Sequence, residues 1–66
     1  MWRTDIESAD VVGARCTVER EGLRWRWTVR TGHGLTALEA SGYSTAQDAA
    51  RVEAERVARG LASLVA

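Results

Sequence analysis

Two side chains in this sequence are of the types that carry nucleophilic or acid–base chemistry near neutral pH, Cys16 and His33. A thiolate with an imidazole base serves acyl transfer, and both groups ligate metals. Each residue type occurs once, so neither a disulfide nor a four-ligand zinc site can be assembled within one chain. His33 sits between Gly32 and Gly34, in a stretch that reads as a loop tip. Cys16 alternates with Arg15 and Thr17 as an inward strand residue does, and a buried thiol of that kind is inert. Catalysis needs a reactive group with an oriented partner. The residues point instead to a non-enzymatic chain with no metal, no cofactor and no small-molecule substrate.

The other chemistry on offer is anion recognition. LRWRWTVR, residues 23–30, alternates arginine or threonine with tryptophan or valine. A guanidinium presents a planar fork that matches phosphate and carboxylate oxygens. The nine basic and nine acidic residues cancel over the whole chain, yet residues 15–30 carry five arginines against Glu19 and Glu21. The positive excess therefore lies on one segment. All the basic residues are Arg, a pattern that a GC-rich genome produces as readily as selection for phosphate forks.

Period-two alternation runs from Ala14 to Ala40, and it predicts a three-stranded antiparallel meander over residues 13–41. Ala14, Cys16 and Val18 share one face of the first strand. Trp25, Trp27 and Val29 face inward on the second, leaving Arg24, Arg26, Thr28 and Arg30 outward together with Arg15, Thr17 and Glu19, a face that either recognises anions or is simply solvated with Arg–Glu pairs across strands. Glu21-Gly22 and Thr31-Gly32-His33-Gly34 read as the hairpin loops, and residues 35–41 as the third strand with Leu38 and Ala40 inward. Gly42-Tyr43-Ser44 reads as a break. Ser44-Thr45-Ala46-Gln47 has the capping-box form that opens a helix over 44–65. Its apolar stripe comprises Ala46, Ala50, Ala54, Val57, Leu61, Leu64 and Val65. Residues 1–12 form an arm or a fourth strand, with Trp2, Thr4 and Ile6 alternating and Ser8-Ala9-Asp10 as the turn. The expected fold is one small α+β domain with its helix packed on one face of the sheet.

A W-R-W strand, a glycine-containing hairpin and ASGYSTAQDAA at a helix start follow one another over residues 16–56. This order resembles two groups of small β-β-β-α domains. One is the arm-type DNA-binding domain of tyrosine recombinases, in which a three-stranded sheet enters the major groove. The other is a bacterial family of small domains of unknown function. The first resemblance implies that Arg24, Arg26, Thr28 and Arg30 contact DNA. The chain departs from that family in charge: residues 31–50 hold no Arg or Lys, while Glu39 and Asp48 are present. Phosphate neutralisation supplies most non-specific DNA affinity.

No stretch approaches the 18 or so apolar residues of a spanning helix, and MWRTDIESAD has no apolar run of the signal-peptide kind. A cytoplasmic protein with no membrane partner is the expectation. A chain of 66 residues buries only about 60% of its unfolded surface, so a partner or a second copy is a natural supplement. The leading expectation is an accessory or regulatory interaction module, mobile-element-encoded by analogy with other small chains of this kind. It docks on a protein or on itself through its Arg/Thr sheet face or a strand edge. Trp2 is a contact anchor near the terminus, and sheet-face binding of nucleic acid is the alternative.

Overall fold

The computed structural model describes residues 6–33 and 36–65. Trp2, Thr4 and Gly34 lie outside the described residues. Four strands precede one helix: β1 (Ile6–Val11), β2 (Ala14–Glu21), β3 (Arg24–His33), β4 (Thr36–Ser44) and α1 (Gln47–Val65). The strands form one antiparallel sheet in the order β1-β2-β3-β4, each paired with its sequence neighbour. The helix returns across one face.

The N-terminal strand extends further than the composition indicates. Ser8, Ala9 and Asp10, read above as a turn, stay extended opposite Thr17, Cys16 and Arg15. The reversal falls at Val12-Gly13, where φ is 45° and 85°. Two consecutive positive φ values define a two-residue turn whose twist suits antiparallel strands. A β-branched residue at positive φ costs about 1–2 kcal/mol, which is why valine gives no turn signal. The β2–β3 hairpin closes at Glu21↔Arg24, with positive φ at Gly22 alone, so its loop is Gly22-Leu23.

β3 and β4 are also longer than expected. Thr31, Gly32 and His33 continue β3, and His33 pairs with Thr36. Gly42, Tyr43 and Ser44 continue β4 opposite Trp27, Arg26 and Trp25. Gly42 does not break the strand; it makes room for a side chain. A Cβ built there would lie 2.6 Å from Cζ2 of Trp27, inside any tolerable contact. The indole lies over the backbone of β4, and only glycine admits it. Because Ser44 belongs to β4, it does not cap the helix. The first helical bond runs from the Ala50 N–H to the Ala46 carbonyl over 3.0 Å, which makes Ala46 the N-cap.

The core between sheet and helix is built of small residues. Ala14, Cys16, Val18 and Val29 from the sheet and Ala50, Ala54 and Ala58 from α1 are buried, with Val29 the largest side chain fully enclosed. The helix is rolled so that the Ala50–Ala54–Ala58 row rests on the sheet, where short side chains allow the closest approach. Val57, Leu61, Trp27 and Val11 pack around that row. Of the expected stripe, Ala46 is exposed outside the helix and Leu64 remains 76% exposed. Gly60 is accommodated without ending α1.

Candidate interaction face

The second face of the sheet carries no helix, and its side chains follow from strand parity and register. One row reads Asp10–Arg15–Arg30–Glu39 across the four strands. The next reads Ser8–Thr17–Thr28–Ser41, and the third Ile6–Glu19–Arg26–Tyr43. Glu21 and Arg24 complete the face beside the β2–β3 hairpin. Arg15, Arg24, Arg26, Thr28 and Arg30 are thus brought onto one open surface. Trp25 and Trp27 lie on the opposite, helix-facing side, with Trp27 against the core, so neither is a stacking platform on the open face. Trp2, the remaining candidate contact, lies outside the described residues.

The arginines of this face are balanced by acids of the same face. Arg15 Nε donates to Asp10 Oδ1 over 3.0 Å, and Arg30 Nε lies 3.1 Å from Glu39 Oε2. Arg26 is 3.8 Å from Glu21. Arg24 stacks on Tyr43 with its guanidinium carbon 4.1 Å from the ring centroid, and the Tyr43 hydroxyl donates to Glu21 over 3.1 Å. Each such surface pair contributes about 0.2–1 kcal/mol. Their joint effect is to hold long side chains in fixed positions and to cancel the charge. Asp10, Glu19, Glu21 and Glu39 match the four arginines in number, so the excess visible along residues 15–30 vanishes once β1 and β4 are laid beside it. Arg20, which contributes to that excess, points to the other side in register with Trp25.

Asp10, Ser8, Ser41 and Tyr43 are members of the face that the linear reading did not collect. Ser8 and Asp10 fall in a segment read as a turn, and Tyr43 in one read as a break. Reading Leu38 and Ala40 as inward already turns Glu39 and Ser41 outward. It does not find β1 without the Val12-Gly13 turn.

On the covered side, a groove of about 200 Å³ opens between β1 and the helix. Its floor includes Cys16 and Ala54, and Glu7, Arg51 and Glu55 line it. Arg51 holds Glu7 with two hydrogen bonds, Nη2 to Oε2 at 2.9 Å and Nε to Oε1, and also reaches Asp48 at 2.9 Å. That contact holds the Glu7 carboxyl below its ordinary range. Burial pushes the Cys16 thiol up, with Glu55 and Asp10 adding to the effect. Its Sγ lies 3.9 Å from the Ala54 carbonyl. A protonated thiol under a helix is a packing group and not a nucleophile. Among the described residues there is no cluster of three or more His, Cys, Asp or Glu placed to hold a metal ion, and no helix is long and apolar enough to cross a membrane.

No protein-family model matches this chain, and no match was found among curated proteins or solved structures.

Proposed function

We propose that this chain is a small non-enzymatic interaction module, regulatory or accessory in role, whose open sheet face docks on a protein partner. The observation that carries this reading is the mutual pairing of charges on that face. Arginines already matched by Asp10, Glu21 and Glu39 present a neutral mosaic around a hydroxyl row. Such a mosaic selects a partner by the position of each charge and carries no strong field of one sign. Binding of nucleic acid by the same face would set the phosphates beside four carboxylates, against the counterion release that drives such complexes. The protonated, covered thiol of Cys16 also favours binding over catalysis.

The test pairs two measurements on the wild type and on the Arg24→Glu/Arg26→Glu variant. In vivo crosslinking is expected to yield a discrete protein partner that the variant loses while its circular dichroism spectrum is unchanged. Titration with duplex and single-stranded DNA is expected to show affinity no tighter than about 100 µM at physiological salt, the weak limit of the non-specific range. Micromolar DNA binding that weakens steeply with salt and is lost in the variant would replace the protein-docking reading with the nucleic-acid one.

A further inference from the structure

The two edges of the sheet are built differently. β1, described from Ile6 to Val11, is guarded by charge. Its Glu7 points to the helix side, where Arg51 holds it, and Asp10 is paired with Arg15. Charges, especially inward-pointing ones, are among the devices that keep a sheet edge from pairing with another chain. β4 has no inward-pointing charge. It is nine residues long, Thr36–Ser44, and spans roughly 30 Å. Proline is absent, and Glu39 is its one charge, engaged by Arg30 of the neighbouring strand. Among the described residues β4 is hydrogen-bonded to β3 alone, so the backbone groups on its other side are open.

The helix adds to the same edge. Arg51 and Glu55 overhang β1, where they line the groove. At 100° per residue, Val57 and Leu64 emerge on the opposite flank, toward β4, while Leu61 falls between Ala50 and Ala54 and packs on the core. α1 starts just beyond the end of β4 and packs mostly over β3 and β2 and less over β4, so the helix leaves the outer side of β4 uncovered. Leu64 is 76% exposed and Leu61 half-buried; Leu38 and Ala40 face the same side from β4 and are half-buried. β4 thus presents half-buried apolar side chains, Leu38 and Ala40, on the helix side of its open edge.

From these features we infer that β4 pairs antiparallel with β4 of a second copy across a two-fold axis, joining the two sheets into one of eight strands with both helices on the same face. This inference rests on the interaction-module reading and names a partner for its strand edge, leaving the open face free. A second copy fits better than a foreign peptide for two reasons. The edge is close to neutral and so is the whole chain, so copies do not repel and no charge on the edge selects another partner. A two-fold contact is also closed: it consumes both unguarded edges and leaves only the guarded β1 edges outside. Leu38 and Ala40 of the two copies then lie on either side of the seam.

The test measures mass by sedimentation and amide hydrogen exchange by NMR on the intact wild-type chain, from about 10 µM to about 1 mM, a range suited to a small interface. The expected result is a mass that doubles with concentration, with alternate β4 amides slowing in parallel while the outward amides of Ile6–Val11 do not. The Ala37→Lys/Ser41→Lys variant, at two exposed positions of β4, should associate at least tenfold more weakly and keep its cooperative unfolding. A single-chain mass at 1 mM overturns the inference. So does a dimer whose β4 amides exchange as in the monomer, and so does a variant that associates like wild type. Mass and exchange report on the edge, whereas the Arg24→Glu/Arg26→Glu crosslinking reports on the face, so either reading can fail without the other.

Discussion

The two faces of this sheet are made from the same strands, with residues one position apart, and they obey different rules. On the helix side the side chains are small, buried and matched by shape: Ala14, Cys16, Val18 and Val29 beneath Ala50, Ala54 and Ala58. On the open side they are long, exposed and matched by charge: Arg15 with Asp10, Arg30 with Glu39, Arg26 with Glu21. Burial of apolar surface stabilises at about 25 cal/mol per Å² and tolerates little change of volume. Exposed pairs contribute a fraction of a kcal/mol each and tolerate exchange. The fold is thus written on one face, and the other tolerates exchange.

The sharpest way to break the covered face is at Gly42. In Gly42→Ala the new methyl would stand 2.6 Å from the Trp27 indole, with Cε2 at 2.9 Å and Nε1 at 3.1 Å. The ring must swing off β4, toward the Leu61 side of the core or into solvent. Overpacking of this kind costs about 1–3 kcal/mol. A chain of this size has little more than that in reserve. Urea unfolding followed by tryptophan fluorescence should show an early midpoint and an altered native emission. An unchanged midpoint would mean that the indole does not rest on Gly42.

Adjacent residues on β3 make the comparison directly. Val29 is 0% exposed, and Thr28 beside it sits in the hydroxyl row of the open face. Val29→Ala is expected to cost about 2 kcal/mol, from two lost methyl groups and the space they leave. Thr28→Ala should fall within about 0.5 kcal/mol of wild type. Equal losses from the two variants would dissolve the distinction between the faces.

Arg30 and Glu39 test whether the open face is also organised by its pairs. A double-mutant cycle with Arg30→Gln and Glu39→Gln should give a coupling of about 0.2–1 kcal/mol at low salt, shrinking as salt is raised. A coupling that survives molar salt would point to a rigid pair shielded from solvent, at odds with side chains 71% and 60% exposed.

How much of this was legible in the sequence follows the same division. Period-two alternation carries β2 and β3 and assigns Trp27, Val29 and the arginines to opposite faces, because burial on one side enforces the pattern. The α+β class and the helix follow from the switch to period 3.6. Both ends of the sheet were harder. The Val12-Gly13 turn places a β-branched residue at positive φ, which no turn propensity anticipates, so β1 was cut short at Ser8. Gly42 looks like punctuation until Trp27 is known to lie across it, and the extent of β4 was hidden with it. The neutrality of the open face was only half legible: reading Leu38 and Ala40 inward already turns Glu39 outward, whereas Asp10 falls in a segment that reads as a turn.

The contact least tied to either face is Glu7 with Arg51, which joins the guarded edge to the helix. Arg51 lowers the Glu7 pKa in the folded chain, so folding favours the ionised carboxylate. The resulting stability is fully present above the unfolded carboxyl value of about 4.3 and is lost as pH falls through the lower, folded value. Glu7→Gln removes this dependence. Comparing urea midpoints at pH 7 and pH 3, wild type should lose more stability on acidification than the variant, and the difference should be small because the pair is solvent-exposed. Equal losses would mean that Arg51 does not hold Glu7 in solution, and the β1 edge would then lack its inward guard and resemble β4.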